Sequence, residues 1–217
     1  MKKFTIFIII LLIINLPILI YLTNFKLMIY NNNFYQKEFK KHKVYDEVGN
    51  ADEVLNEILL FFKNKSELSN VFTENEKSHL NDVKNLVISL NYVFYGLLLL
   101  EIILLVLLFL AYRNNIKVFF EIIGLIFVIT GLSIVIFSLV LYIFSGSFSD
   151  IFVKFHLIVF PWGNWQFPDT SILIKMFPEQ FFYDFTYKAV SNAVITAIIT
   201  TIVGIICFVP SKKIKNR

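Results

Sequence analysis

The stretch "LLLLEIILLVLLFLAYRNNIKVFFEIIGL", residues 97–125, decides the fold. It joins the ends of two long apolar runs, 86–111 and 118–144, through a short polar turn that holds Arg113 and Lys117. About 20 helical residues at roughly 1.5 Å each cross a hydrocarbon core of about 30 Å, so either run is long enough to span a bilayer. Lys and Arg collect in short cytoplasmic loops, so the turn between the runs belongs on the cytoplasmic side.

Two further runs, 4–22 and 189–209, are also long enough. The 217 residues are 57% hydrophobic, with 25 Phe and a mean hydropathy of +0.71, well above the usual range of water-soluble domains. Lys2 and Lys3 ahead of the first run would also suit a cleaved signal peptide. The run is long, however, carries Pro17 and Tyr21, and is followed by no small-x-small cleavage site, so a retained helix is expected. Cys207 alone excludes an internal disulfide framework and a multi-cysteine metal site. No basic helix face, zinc-finger spacing or RNA-binding aromatic motif points to nucleic acid.

Lys2, Lys3, Arg113, Lys117, Lys212, Lys213, Lys215 and Arg217 fall on one side of this topology, with no acid among them. The two longer loops fall on the other side and balance their charges: nine Lys against ten acids in 26–84, three against four in 145–188. The expectation is an all-α membrane protein forming a single membrane domain over 1–217. Its four transmembrane helices lie at about 4–22, 86–111, 118–144 and 189–209, and both termini are cytoplasmic. A mostly helical extracytoplasmic cap is built from 26–84 and 145–188.

Within the first loop, Asn50 followed by Glu53 suits a helix start, and Val54, Leu55, Ile58, Leu59 and Phe62 form an apolar stripe. "TENE" at 73–76 reads as a capping box, Thr73 and Glu76 satisfying each other's backbone donors. The helix it opens carries Glu76, His79 and Asp82 and can run into the second span. "KEFKKHK" at 37–43 reads as a solvated basic face or a contact with lipid headgroups. Glu101 falls inside the second span, where an acid is costly; a bond to Ser133 or Ser138, or protonation, would accommodate it.

All three histidines fall on the extracytoplasmic side. His79 stands seven residues ahead of the second span, roughly 10 Å above the hydrocarbon edge on a helix. His156 follows the third span by about a dozen residues, so both histidines are confined to one thin slab at the same face. Glu76 and Asp82, three residues to either side of His79, are its helical neighbours. A carboxylate on one imidazole nitrogen fixes the tautomer and leaves the other nitrogen as a base. The same pattern also suits a plain charged helix face. His156 opens "FHLIVFPWGNWQFPDTSILIKMFPEQFF", residues 155–182, where Pro161, Gly163, Pro168 and Pro178 argue for a re-entrant or surface-lying loop. Trp162 and Trp165 suit the interfacial zone as anchors. Asn164 and Asp169 are turn-formers, and Lys175 can snorkel to headgroups or face a cleft. Histidine 79, histidine 156, Glu76 and Asp82 could instead assemble a divalent-metal site with an open position, although no H-E-x-x-H pair or cysteine ligand is present. A G-x-S-x-G elbow is also missing.

"FTENEKSHLNDVKNL" and the 155–182 segment resemble the two signature regions of the lipoprotein intramolecular transacylase (Lit) family, small four-helix membrane proteins with an extracytoplasmic cap. The likeness extends to motif order, loop sizes and the four-span plan. It implies that His79 and His156 are catalytic; Glu76 and Asp82, by their spacing from His79, are the supporting carboxylates, and Asn164, Trp165 and Lys175 are weaker substrate-binding candidates. The implied reaction moves the sn-2 acyl chain of a diacylglyceryl lipoprotein to the α-amine of its N-terminal cysteine, giving a lyso-form lipoprotein. The partners are then that substrate and membrane lipids, and no cofactor or metal is expected. A non-catalytic lipid- or lipoprotein-binding membrane protein and a metal-dependent lipid hydrolase are the alternatives.

Overall fold

A computed structural model describes residues 2–208, and among these it contains helices and connecting turns but no strand. Val209 and the basic residues Lys212, Lys213, Lys215 and Arg217 lie outside the described residues. Nine α-helices follow in order among the described residues: α1 (Lys2–Ile29), α2 (Asn32–Lys41), α3 (Val44–Glu47), α4 (Ala51–Phe62), α5 (Glu74–Tyr112), α6 (Ile116–Ile143), α7 (Phe148–Val159), α8 (Ile172–Met176) and α9 (Glu179–Phe208). A short 3-10 turn, Phe144–Ser147, joins α6 to α7.

Four helical stretches are long and apolar enough to cross a membrane: Lys3–Ile29, Glu74–Tyr112, Ile116–Val159 and Glu179–Cys207. In hydrocarbon every backbone N–H and C=O must find its partner within the segment, which an α-helix alone achieves for a single chain crossing. The 39 residues of α5 would extend about 58 Å. Its charged first turns, with Glu74, Glu76, Lys77, Asp82 and Lys84, therefore precede the apolar segment that spans.

The chain forms two compact units. One gathers the chain up to Phe25, Val93–Ile143 and the chain from Ala189. Its core joins Ile8 and Leu12 of α1 with Leu104 and Leu108 of α5 and Ile123 and Ile126 of α6. A second cluster sets Ile134 of α6 against Ala193 and Ala197 of α9, with Ile20 and Tyr21 packed on it. Between apolar helices in lipid there is little hydrophobic drive to associate, so close packing of small residues and polar contacts hold them. Gly204 of α9 packs so near α6 that an added Cβ would fall 2.7 Å from the Gly124 carbonyl. Tyr21 Oη and Ser138 Oγ are 2.8 Å apart, and Tyr21 donates to the Ile134 carbonyl at 3.2 Å. Glu101 is buried, but its partner is neither Ser133 nor Ser138. Asn15 of α1 donates to its carboxyl at 2.8 Å and to the Leu97 carbonyl at 3.0 Å, from 86 residues away in sequence in the former case.

The other unit comprises Lys26–Tyr92 and Phe144–Lys188. An aromatic cluster centres it: Tyr35 stacks on Phe181 at 5.5 Å, while Phe39 and Phe177 pack edge-on or tilted around them. The 37–43 run is not merely a solvated face. It closes α2 with Phe39 and Glu38 both buried, and His42 caps the helix. Helix α4 starts behind Asn50 and buries Val54, Leu55, Ile58 and Leu59, with Phe61 more deeply enclosed than Phe62. The 155–182 segment differs from the expected loop: His156 sits on the last turn of α7, and the irregular chain begins only at Phe160. Gly163, at φ 75°, takes the left-handed conformation in the turn that follows.

The closest α6–α9 approach gives a stability test. A Cβ on Gly131 would lie 1.9 Å from Thr201 Oγ1 and 2.7 Å from the Ala197 carbonyl oxygen. Gly131→Ala is expected to destabilise the detergent-solubilised protein by about 1–3 kcal/mol, the usual range for overpacking. Adding Thr201→Ala should restore the melting temperature only in part, because the backbone carbonyl stays in the way. Full recovery in the double variant would contradict this packing.

Candidate functional site

The site grows from the start of α5. Thr73 precedes the helix, and its backbone N–H and hydroxyl both donate to Glu76 Oε2 at 2.8 Å, while the Glu76 N–H returns to Thr73 Oγ1 at 3.3 Å. This is the reciprocal capping box read from "TENE". The other oxygen of Glu76 reaches into the second segment, accepting from Ser171 Oγ at 2.5 Å and from the Leu173 N–H at 3.2 Å. Glu76 is 1% exposed. Burial pushes its carboxyl up, but the four donated bonds outweigh this and hold it below the usual carboxylate range. The same carboxylate therefore ties the start of α5 to the N-terminus of α8, where Ser171 is itself the cap.

One turn further along α5, His79 is half-buried and faces His156 of α7. The two rings stack at 6.2 Å between centroids with 28° between planes. Phe160 packs against both, 4.9 Å from His79 and 5.6 Å from His156. Phe167 closes on His79 at 5.6 Å, and Phe152 and Trp165 close on His156 at 4.2 and 4.9 Å. Phe155 adds an edge-on contact to His156 at 5.4 Å, so five aromatic side chains drawn from α7 and the 160–171 loop enclose the pair.

The tautomer of His156 follows from its partner. Nδ1 lies 2.7 Å from the Phe152 carbonyl oxygen, which can only accept, so Nδ1 carries the proton and Nε2 presents a lone pair. Burial pushes the His156 imidazole below its ordinary range, with the Phe152 bond opposing. His79 is lowered further, to about 4, chiefly by burial and then by repulsion from His156; Asp82 and the Asn164 amide act in the opposite direction. Both imidazoles are consequently neutral near pH 7.

A short relay stands behind His79. Asn164 Nδ2 donates to Asp82 Oδ2 at 2.6 Å and to Ser78 Oγ at 3.2 Å. His79 Nδ1 and Asn164 Oδ1 are both buried and have no hydrogen bond of good geometry, yet Asn164 lies near enough to favour the protonated imidazole. A bond between those two atoms would complete His79–Asn164–Asp82, with the Asn164 oxygen accepting and its nitrogen donating.

The residues expected at the site are distributed as follows. His79, His156, Asp82 and Asn164 come together, and Trp165 packs on His156 instead of standing apart as an anchor. Trp162, by contrast, is 86% exposed. Glu76 is bonded to Thr73, Ser171 and Leu173 instead of to His79. Lys175 is half-buried on α8 and makes none of the ring contacts or hydrogen bonds that hold the pair. Among the described residues, the metal-ligating group whose donor atoms all lie within 4.8 Å is Glu38, His42 and Asp184, not the four side chains around the histidine pair. Phe152, Phe160 and Phe167 were not singled out by the sequence. Phe152 and Phe160 stand four residues before and after His156, a spacing that becomes visible once 148–159 is read as a helix.

The family model of the lipoprotein intramolecular transacylase Lit matches residues 8–182. Among proteins of curated function, none matches this sequence. In structure the chain is similar to the membrane integral lipoprotein intramolecular transacylase Lit from Bacillus cereus, solved in meso, with a TM-score of 0.80 at 17% identity over 99% of this chain and 100% of that one. Two variants of the Bacillus cereus protein, with one histidine replaced by alanine or by arginine, give TM-scores of 0.74 at the same identity. They cover 97% and 96% of those chains and 99% of this one. At that identity the likeness shows a common fold. The family match covers most of the chain, and so this protein belongs to the lipoprotein intramolecular transacylase (Lit) family, membrane-integral acyltransferases.

Proposed function

We propose that this chain moves the sn-2 acyl chain of a diacylglyceryl lipoprotein to the α-amine of the lipoprotein's own N-terminal cysteine. The observation that carries this reading is the stacked, neutral His79–His156 pair within its aromatic enclosure. The product is a lyso-form lipoprotein with one N-acyl and one O-acyl chain. From the amine nitrogen through Cα, Cβ, sulfur, two glyceryl carbons and the ester oxygen to the carbonyl carbon the atoms close an eight-membered ring. Nucleophile and ester thus arrive on one molecule, and the protein has mainly to hold them in attack geometry.

The chemistry needs one proton removed and one returned. The cysteine α-amine, with a pKa of about 8, is largely protonated at neutral pH; its free-amine fraction attacks, forming the amide C–N bond while the ester C–O bond breaks. His79 is the general base, because Asp82 and the Asn164 amide both favour its protonated form. The departing glyceryl oxygen takes a proton back. His156 serves as the second proton carrier through its free Nε2; in its Nδ1–H tautomer it holds no proton there to donate to an oxyanion. Mutual repulsion favours a pair that carries one proton at a time. Glu76 supports the site at one remove, by fixing the segments that bear the rings. Trp165 and Lys175 are the remaining candidates for contact with substrate.

From the Lys and Arg distribution we assign the 113–117 turn and both termini to the cytoplasmic side. Segments 26–84 and 145–188, with the histidine pair, then lie on the extracytoplasmic side. There the substrate's glyceryl ester and membrane lipids are accessible.

His79→Ala and His156→Ala should each lower acyl migration about 10²–10⁴-fold, the usual contribution of a positioned acid or base. Mass spectrometry of the N-terminal lipopeptide after coexpression reads this directly. Near-normal N-acylation in either variant would remove that residue from the mechanism.

Asn164→Ala should lower kcat about tenfold with little change in KM, whereas loss of a substrate contact would raise KM. The steady-state kinetics of a purified diacyl lipopeptide distinguish the two.

Histidine NMR titration should find His79 changing charge near pH 4, not near the usual value of about 6.5. Its folded value lies below its unfolded one, so its contribution to stability is complete above about pH 6.5 and declines as the pH falls toward 4. A normal titration of His79 in the folded protein would contradict the enclosed neutral pair.

A further inference from the structure

The third histidine stands in a different cluster. His42 Nε2, at the end of α2, is 2.8 Å from Asp184 Oδ2 of α9 and 3.5 Å from Glu38 Oε2, one turn back on its own helix. Lys41 Nζ is 2.6 Å from the same Asp184 oxygen and 3.7 Å from Glu38 Oε2. The Glu38 side chain is 6% exposed, and its Oε2 is buried without a hydrogen bond. A carboxylate in that position needs strong compensation. A second carboxylate in the same group deepens the negative potential.

We propose that Glu38, His42 and Asp184 form a binding site for a divalent cation of the zinc type, joining α2 to the start of α9. Their donor atoms all lie within 4.8 Å of one another. One imidazole nitrogen with two carboxylate oxygens is a set that zinc accepts at about 2.0–2.2 Å, with a fourth position for water. Tetrahedral coordination at that length separates neighbouring donors by roughly 3.3 Å, and the 2.8 and 3.5 Å separations around His42 bracket it. The imidazole disfavours calcium and magnesium, which take mainly oxygen ligands. Unlike an acidic surface cluster, this group contains an enclosed carboxylate oxygen turned toward two other donors and lacking a hydrogen bond. Lys41 is the built-in competitor. Its side chain is 52% exposed, so the ammonium can swing into water when a metal takes its place.

Titration calorimetry of the chelator-treated full chain in detergent, with zinc chloride as the probe, tests the site. One zinc per chain is expected, with His42→Ala and Glu38→Gln each weakening binding by at least about tenfold. His79→Ala should leave uptake intact. Lys41→Ala should tighten binding, and as an exposed substitution it decides the matter if the buried variants fail to fold. Absence of stoichiometric uptake, uptake insensitive to His42→Ala, loss of uptake in His79→Ala, or binding unchanged or weakened in Lys41→Ala would each overturn the proposal.

Discussion

The carboxylate of Glu76 accepts four hydrogen bonds from two stretches of chain nearly a hundred residues apart, and the arrangement around the histidines depends on that convergence. Bonds from Thr73 to one oxygen fix where α5 begins and hence the rotation at which His79, three residues on, leaves the helix. Bonds from Ser171 and Leu173 to the other oxygen anchor the far end of the 160–171 loop, whose near end is set by α7. A loop held at both ends brings Asn164 to Asp82 and Trp165 to His156 without a regular backbone of its own. Removing one neutral donor from a buried charged carboxylate typically costs about 1.5–3 kcal/mol, so the element is structural in the strict sense while acting on the site.

The four long helices were legible because composition and length alone dictate them: a 20-residue apolar run has few stable conformations in hydrocarbon. The capping box was legible because its partners are three residues apart. What the sequence hid are pairings between distant positions. The sequence offers Ser133, Ser138 or protonation for Glu101, because nothing local marks Asn15, 86 residues away, as its partner, and Asn164 reads as an ordinary turn-former because Asp82 lies 82 residues away. The Glu76–His79 spacing pointed to a carboxylate–imidazole contact, yet the longer-range donors Ser171 and Leu173 prevail for that carboxylate. The helical character of 148–159 was obscured for another reason: the prolines that follow dominate the local reading, although Phe152, His156 and Phe160 repeat at helical spacing.

The two histidine environments within one unit differ in what surrounds the ring. At His79 and His156 the neighbours are mostly aromatic rings, which exclude water and offer no strong acceptor except the Phe152 carbonyl, so the neutral imidazole is favoured. At His42 two carboxylates face the ring, and the Lys41 ammonium lies beside both of them. Similar side chains in similarly enclosed surroundings thus serve opposite electrostatic ends. The first suits transfer of a proton that must be given back; the second suits a charge that stays.

That contrast bears on why an acyl-transfer site would use two imidazoles instead of an imidazole and a directly bonded carboxylate. A carboxylate directly against His79 would raise its affinity for the proton, making the ring a stronger base and its imidazolium a weaker acid. In the reaction proposed above, Asp82 stands behind Asn164 and not against His79, and a second neutral ring stacks at 6.2 Å, so the imidazolium gains less support than from a bonded carboxylate. The spacing of charge behind His79, more than the presence of histidine itself, is therefore what fits the pair to a reaction in which the same proton must move twice.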